Sequence, residues 1–169
     1  YGRIGRRVAS LALAMGMEVV AHDPFAGQTD IELLPIDEFW PRCDAISVHA
    51  PLTEDTRGMI DAKAFSKMKP GVIFINTARG GLVDHAALTS ALDDGVVRSA
   101  GLDVTDPEPL PFEHPLLGRQ NVIITPHVAS ATTVGRERMF VSAIEQALTA
   151  LEGRRPKHLV NTEVLEFPS

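Results

Sequence analysis

The stretch GLDVTDPEPLPFEHPLLGRQNVIITPHVAS, residues 101–130, holds two short apolar runs that each lead into residues able to take part in chemistry. The first run, residues 100–104, leads to Glu108, and the second, residues 122–125, leads to His127. Ligands of an open parallel sheet bind outside the carboxyl ends of its strands. If both runs are strands of one such sheet, Glu108 and His127 are candidates for the same cleft.

Glu108 and His127 have two interpretations at this point. A carboxylate that accepts a hydrogen bond from one imidazole nitrogen favours the protonated ring, so the other nitrogen can donate a proton to a substrate. Alternatively, His127 is an ordinary loop residue, and Glu108, which stands between two prolines, is only solvated. The spacing alone leaves both interpretations open.

The composition indicates a soluble globular domain and excludes several function classes. The chain has 169 residues, of which 44% are hydrophobic and 22% charged, and it contains no apolar run of membrane-spanning length. A net charge of -6 argues against nucleic-acid binding. The six histidines show no zinc-like spacing, so we predict no metal site. Cys43 is the only cysteine, which rules out an internal disulfide and favours a cytoplasmic location.

The N-terminal residues predict part of a dinucleotide-binding turn. Gly2 and Gly5 match the last two glycines of G-x-G-x-x-G, and the amphipathic pattern around them predicts a helix over residues 1–16 that ends at Gly16. The first glycine of the motif and the strand that feeds it are absent from the sequence. We therefore expect an N-terminally truncated fold in which the first strand is missing.

Asp23 predicts the identity of the dinucleotide. A strand predicted over residues 18–22 ends at Asp23, which follows Gly5 by roughly the 20 residues that the dinucleotide fold requires. A carboxylate at this position accepts hydrogen bonds from the adenosine ribose and repels a 2′-phosphate. Asp23 therefore predicts NAD instead of NADP.

The rest of the chain alternates predicted strands and helices. This alternation predicts an α/β protein with a Rossmann-type doubly wound parallel sheet. Asp61 and Asp84 precede two of the helices and are expected to cap them. The predicted strands cover residues 45–48, 72–75, 99–104 and 122–125, and the predicted helices cover 35–42, 62–68, 85–94 and 132–151.

Two loops at predicted strand ends contain further candidates. Arg79 follows the 72–75 run, where it either clamps a carboxylate through paired hydrogen bonds or caps surface carbonyls. The loop after the 45–48 strand offers Pro51 as a wall of an adenine pocket and a hydroxyl from Thr56. His49 fits a structural role better than a catalytic one, because no carboxylate follows it in a comparable arrangement.

Six motifs cover nearly the whole chain. They are G-R-I-G at 2–5, the acidic strand end at 23, H-x-P-L-T-x-x-T at 49–56, N-T-A-R-G-G at 76–81, G-L-D-V with E-P at 101–109, and T-P-H-x-x-S at 125–130. Together they resemble the NAD-binding region of the D-isomer-specific 2-hydroxyacid dehydrogenases. Within that family, DVTDPEPLP, HPLL and SAT look most like the glyoxylate and hydroxypyruvate reductases.

The resemblance implies a catalytic role for three residues. Arg79 would bind the substrate carboxylate and polarise the 2-oxo group, His127 would donate the proton, and Glu108 would orient and charge His127. Arg3 and Ile4 would meet the pyrophosphate, while Asp103 and the main chain of residues 77–79 would hold the nicotinamide carboxamide. The cofactor-binding residues that it implies are Gly2, Arg3, Ile4, Gly5, Asp23, His49, Pro51, Thr56, Thr77, Ala78, Arg79, Asp103, His127 and Ser130.

The implied function is hydride transfer between NAD(H) and a small 2-oxo or 2-hydroxy acid such as glyoxylate or hydroxypyruvate. Phosphoglycerate oxidation is an alternative that needs a basic cluster outside this sequence, and an NAD-sensing corepressor-like protein is a second alternative. Family architecture also implies a homodimer, an incomplete NAD-binding domain over residues 1–130, and a helix and tail over 131–169 that return to a missing substrate domain. We expect a chain without that domain and the first strand to be marginally stable or prone to aggregation.

Overall fold

Short parallel strands alternate with helices over residues 1–162, which are the residues that the computed structural model describes. The predicted C-terminal tail therefore lies partly outside the described residues. The helices are α1 (Arg3–Ala14), α2 (Ile36–Phe39), α3 (Ala62–Ser66), α4 (His85–Asp93) and α5 (Thr133–Leu151), and the strands are β1 (Val20–Ala21), β2 (Glu32–Leu33), β3 (Ala45–Val48), β4 (Val72–Asn76), β5 (Val97–Leu102) and β6 (Val122–Ile124).

Four strands form one parallel sheet in the order β3-β4-β5-β6. Its register aligns Val48 with Asn76, Asn76 with Leu102, and Leu102 with Ile124. These four residues lie at the carboxyl ends of their strands, so the loops that follow start side by side. The α/β class is thus confirmed, and the segments that lead to Glu108 and His127 leave the sheet at the same edge.

The remaining strands, β1 and β2, form a separate two-stranded parallel sheet. Among the described residues, no strand joins β1 to β3. A Rossmann sheet that lacks its first, central strand has this division, as the N-terminal motif predicted. Asp23 follows β1 in this smaller sheet.

The core packs around β4 and α4. Phe74 of β4 and Leu88 of α4 are completely buried, and Phe74 meets Phe65 of α3 edge to face with ring centroids 5.6 Å apart. Burying a side chain of this size contributes about 1.5–3 kcal/mol relative to leaving it exposed. This packing fixes β4, and with it the start of the Arg79 turn.

Helix ends follow the predicted capping chemistry. Asp61 accepts from the Ala64 N–H at 2.8 Å, and Asp84 accepts from the Ala86 and Ala87 N–H groups at 2.9 and 3.1 Å. The helix predicted over residues 35–42 is instead α2 followed by a 3-10 turn, Trp40–Arg42, because Pro41 carries no N–H with which to continue the α-helical pattern.

The strand predicted over residues 99–104 is shifted by two residues. β5 begins at Val97 and ends at Leu102. It ends there because its partner β4 ends at Asn76, whose carbonyl accepts the last bond between the two strands from the Asp103 N–H at 2.9 Å. Asp103 thus stands at the strand end itself instead of inside the strand. This position brings its side chain to the carboxyl edge of the sheet.

The chain divides into two units, Tyr1–His127 and a second that begins at Val128. The second unit contains α5, which is capped by the Thr132 hydroxyl accepting from the Gly135 N–H at 2.9 Å. In the part of the chain that the structure describes, none of the helices has both the length and the apolar character needed to cross a bilayer.

Candidate active site

Glu108 and His127 form a hydrogen-bonded pair, with 2.9 Å between His127 Nδ1 and Glu108 Oε1. An ionised carboxylate only accepts hydrogen bonds, so in this pair Nδ1 carries the hydrogen and is the hydrogen-bond donor to Glu108. Both side chains remain partly exposed, 47% for His127 and 40% for Glu108. The arrangement fixes the ring and assigns Nε2 as the nitrogen that can serve a ligand.

The backbone of His127 is held in an unusual conformation. Its φ is 52°, in the left-handed region that residues other than glycine seldom adopt. The His127 N–H is bonded to the Asp103 carbonyl at 2.9 Å and to the Thr125 carbonyl at 3.0 Å. These bonds hold the turn after β6 in the conformation that aims the ring at Glu108, and such constrained conformations cluster at functional sites.

Asp103 is buried beside this pair and lines a pocket. Its Oδ1 accepts from the Thr125 hydroxyl at 2.5 Å, which joins the ends of β5 and β6. The pocket has a volume of about 490 Å³ and combines a few polar groups with apolar walls, as ligand sites do. It is lined by Asp103, Thr105, Glu108, Pro109, Leu110, Leu117, Ile124, Thr125 and Pro126.

The turn after β4 is organised by Asn76, which the sequence analysis did not single out. Asn76 is fully buried; its Nδ2 donates to the Arg79 carbonyl at 2.9 Å, and its Oδ1 accepts from the Ala78 N–H at 3.0 Å. A polar residue directly after the apolar run VIFI was the available signal. Asn76 acts as an internal template for residues 77–79.

Arg79 is exposed, and its Nη1 donates to the Ala78 carbonyl at 2.6 Å. Of the two roles considered for Arg79, capping a surface carbonyl is the one that this contact shows. A guanidinium has five N–H donors, so this bond leaves donors for a carboxylate. Among the described residues, Arg79 is not part of the pocket lining, and Thr77 is likewise exposed outside it.

Close packing joins the Arg79 turn to the end of β5. A Cβ built on Gly80 would lie 2.0 Å from the carbonyl carbon and oxygen of Thr105. Only glycine permits this approach of two backbones. The contact places the Arg79 turn directly against the segment that leads to Glu108.

The start of α1 fits an anionic ligand. Gly2 is the N-cap residue, and within the described chain no side chain caps this helix, whereas α3, α4 and α5 are capped by Asp61, Asp84 and Thr132. A Cβ on Gly2 would meet nothing within 4 Å. Uncapped N–H groups beside open space are what a pyrophosphate needs at a helix N-terminus.

Asp23 is held as a charged acceptor near this helix start. Its Oδ2 accepts from the Tyr1 α-amino nitrogen at 2.7 Å, and its Oδ1 accepts from the Phe25 N–H at 2.9 Å. A carboxylate has about four acceptor sites, so Asp23 keeps capacity for ribose hydroxyls.

The loop after β3 uses its polar groups mainly on itself. The Thr56 hydroxyl donates to the Pro51 carbonyl at 2.7 Å and accepts from the Thr53 N–H at 2.8 Å, so its single proton already has an acceptor. His49 Nε2 lies 2.9 Å from Ser47 Oγ. Burial lowers the pKa of His49, whose ring faces Gly5 of α1. These contacts agree with a structural role for His49.

Ser130 lies in the second unit, where its carbonyl oxygen is 2.5 Å from the point that a Cβ on Gly135 would occupy. Its expected cofactor contact stays a prediction. Within residues 1–162, no group of three or more His, Cys, Asp or Glu side chains is arranged to hold a metal ion.

Comparison with known proteins places this geometry in context. The D-3-phosphoglycerate dehydrogenase of Mycobacterium tuberculosis is 46% identical over 165 residues, which are 95% of this chain and 31% of that protein. The hydroxypyruvate reductase of Thermotoga maritima is 41% identical over 155 residues, covering 89% of this chain and 51% of the relative. The chain thus spans about a third of the first of these relatives and about half of the second.

A solved structure agrees over almost the whole chain. The TT0316 protein of Thermus thermophilus superposes with a TM-score of 0.89 at 47% identity, covering 94% of this chain and 51% of that one. The sequence profile of the D-isomer specific 2-hydroxyacid dehydrogenase NAD binding domain matches residues 1–129. The chain therefore belongs to the D-isomer-specific 2-hydroxyacid dehydrogenase family and contains its NAD-binding domain.

Proposed function

We propose that the protein containing this chain is an NAD-dependent oxidoreductase that reduces a small 2-oxo acid of the glyoxylate or hydroxypyruvate type. The observation that carries this proposal is the Glu108–His127 hydrogen bond at the carboxyl edge of the sheet, beside the pocket that Asp103 lines. A carboxylate-oriented imidazole suits proton donation to a carbonyl oxygen. The reductases among the chain's relatives support the substrate class.

His127 acts as the general acid in this proposal. NADH supplies the hydride when it is bound. The Nδ1–H of His127 stays bonded to Glu108, while Nε2–H donates its proton to the carbonyl oxygen of the substrate. Glu108 stabilises the imidazolium before this transfer and keeps the neutral ring in place after it. A positioned general acid typically contributes about 10²–10⁴-fold to the rate.

Arg79 is the proposed anchor of the substrate carboxylate. Its guanidinium exchanges the Ala78 carbonyl for a carboxylate, with which it forms two parallel hydrogen bonds. Asn76 fixes the main chain of the turn, so only the flexible side chain of Arg79 has to move. The same cation polarises the adjacent 2-oxo group.

The proposed NAD site extends from α1 to the pocket. The N–H groups at the start of α1 bind the pyrophosphate, Asp23 binds the adenosine ribose, and Asp103 with the Thr77–Arg79 main chain binds the carboxamide. The full proposed set is Gly2, Arg3, Ile4, Gly5, Asp23, His49, Pro51, Thr56, Thr77, Ala78, Arg79, Asp103, His127 and Ser130.

Phosphoglycerate oxidation is the second candidate. It is favoured by the 46% identity to a D-3-phosphoglycerate dehydrogenase, which exceeds the 41% identity to the hydroxypyruvate reductase. The two activities differ in a phosphate group on the substrate. A phosphate needs a basic cluster that the Glu108–His127 pair does not provide.

We also propose a cytoplasmic location and a homodimer, with no nucleic-acid partner. The location rests on the single, buried and unpaired Cys43, which suits a reducing compartment. The dimer rests on family resemblance alone. The net charge of -6 makes a nucleic-acid surface unfavourable.

The test is NADH consumption by the complete protein with hydroxypyruvate, glyoxylate and 3-phosphohydroxypyruvate in parallel. His127→Gln and Glu108→Gln remove the acid and its orienting carboxylate with little change in size. We expect kcat to fall about 10²–10⁴-fold in His127→Gln, a larger effect than on the Kd for NADH. His158→Gln, at an exposed histidine of the second unit, is the matched control.

Each outcome decides between the candidates. Turnover of glyoxylate or hydroxypyruvate that collapses in His127→Gln supports the reductase proposal. A strong preference for the phosphorylated substrate would transfer the proposal to phosphoglycerate dehydrogenase. Tight NADH binding with no turnover of any substrate would contradict both and favour the NAD-sensing alternative.

A further inference from the structure

His85, the first residue of α4, is a buried histidine whose ring is not used by the proposed chemistry. Its exposed fraction is 8%, and neither ring nitrogen has a hydrogen-bond partner among the described residues. Buried polar atoms are nearly always hydrogen-bonded, so an exception calls for an explanation. The surroundings of His85 provide one.

The ring of His85 packs against His114, with the two centroids 5.7 Å apart and the ring planes at 80°. His114 belongs to residues 105–117, which we name the Glu108 loop because Glu108 lies within it. In that loop, His114 Nδ1 accepts from the Leu116 N–H at 3.2 Å, and Leu116 is buried in the core. His85 therefore provides part of the surface of α4 on which the Glu108 loop rests.

Burial and the neighbouring His114 disfavour the protonated form of His85. Burial is the main cause that lowers the pKa of His85, and His114 adds to it, while Asp106 and Asp84 oppose it. Both carboxylates already have other partners. Asp106 pairs with Arg57, with 3.5 Å between Oδ2 and Nη1, and Asp84 accepts hydrogen bonds from the N–H groups of Ala86 and Ala87 in the first turn of α4. A proton on His85 would thus create a buried charge, without a hydrogen-bond acceptor, against a second imidazole.

We propose that His85 is a positioning residue that holds the Glu108 loop through His114, and that acid pH protonates His85, releases the loop and withdraws Glu108 from His127. The inference rests on the proposed roles of Glu108 and His127. It adds to them the His85–His114 pair, which decides whether the orienting carboxylate is in place.

The direction of the pH effect follows from linkage. In the closed state the pKa of His85 lies below its ordinary value of 6.5, whereas in an open state it has that ordinary value. The open state therefore binds the proton more tightly and gains population as pH falls below about 6.5. Proton donation by His127 requires its protonated form, which acid favours. A loss of reductase activity on the acid side therefore reports a group other than the donor.

The first experiment is the pH profile of kcat and KM for 2-oxo acid reduction by the complete protein, between about pH 5 and 8. We expect the wild-type kcat to fall below about pH 6.5, approaching about tenfold per pH unit, the limit for uptake of one proton. His85→Phe keeps an aromatic face for His114 but cannot titrate, so this fall disappears in the variant. His158→Gln is the control and keeps the wild-type profile.

Hydrogen exchange of the Glu108 loop supplies a measurement that does not depend on turnover. After correction for intrinsic exchange rates, residues 105–117 of the wild type lose protection on acidification, and those of His85→Phe or His114→Asn do not. Two results would overturn the inference. One is a fall of kcat at acid pH that is the same in the wild type and in His85→Phe, and the other is loop protection in the wild type that does not change with pH. An inactive wild type whose loop still opens in acid would refute the proposed function and leave the loop device standing.

Discussion

Asn76 is the side chain on which the geometry of the Arg79 turn depends. It is fully buried, and both ends of its amide are bonded to the main chain of the residues that follow it. If the Asn76 amide is removed, the Ala78 N–H and the Arg79 carbonyl lose their hydrogen-bond partner. The free-energy cost of leaving such buried groups unpaired is larger than the net stabilisation that an average hydrogen bond provides. The residue that would meet the substrate therefore relies on one that never touches it.

Asn76→Ala is expected to lower the free energy of unfolding by about 1–3 kcal/mol. It is also expected to raise the KM for both the 2-oxo acid and NADH, because the main chain of residues 77–79, which carries Arg79 and is proposed to hold the carboxamide, loses its template. Denaturant unfolding and steady-state kinetics of the complete protein measure the two effects.

Asn121→Ala is the matched control, because the Asn121 amide makes one exposed bond to the Arg98 carbonyl at 3.1 Å. A substitution of this kind away from the core changes stability by about 0.5 kcal/mol or less. Equal losses in the two variants would show that the buried amide of Asn76 has no special role.

These residue-scale features show what the sequence could and could not predict. Glu108 and His127 were predictable because each follows an apolar run, and parallel strands bring their carboxyl ends together. Asn76 was missed although it is a polar residue directly after an apolar run, because its bonds go to main-chain groups and the sequence does not show them. The His85–His114 contact was missed because the two residues share no motif and meet only through loop packing.

At the scale of elements, the site is built where the loops after β4, β5 and β6 meet. The strands were predictable to within a few residues from their apolar runs, and the caps at Asp61 and Asp84 from their position before a helix. β2 was not predicted, because Glu32–Leu33 is too short to show any alternation. The two-residue shift of β5 depends on where its neighbours end, which is tertiary information.

Gly80→Ala tests the contact between two of these loops. The added Cβ would lie 2.0 Å from the Thr105 carbonyl carbon and oxygen, so one of the two backbones has to move. Overpacking of this kind costs about 1–3 kcal/mol, occasionally more. We expect a loss of at least that size in the free energy of unfolding and a lower kcat, because Thr105 leads to Glu108.

Gly27→Ala is the control for Gly80→Ala. A Cβ on Gly27 meets nothing within 4 Å, and its φ does not require glycine. Such a change is neutral, or stabilising by about 0.4–1 kcal/mol. A Gly80→Ala variant as stable and active as Gly27→Ala would mean that the two loops move independently.

At the scale of the whole molecule, the exposed apolar surface of α1 is one departure from a self-sufficient domain. Ile4, Leu11 and Met15 of the α1 segment are 66%, 67% and 74% exposed, although they share the helical spacing of a packed face. The neighbouring β1–β2 pair is a two-stranded sheet, which is marginal by itself. The relatives, two to three times longer than the matched segment, have additional chain with which to cover such surfaces.

The chain of residues 1–169 produced by itself is therefore expected to self-associate as its concentration rises, and to unfold without a sharp cooperative transition. Leu11→Gln removes apolar surface from the exposed face of α1 and should shift light scattering toward the monomer. Phe25→Ser, which removes an even more exposed apolar side chain outside α1, should leave the association unchanged. A monomer with a cooperative thermal transition would contradict the prediction, because it would show that β1–β2 and α1 are stable without a further strand or domain.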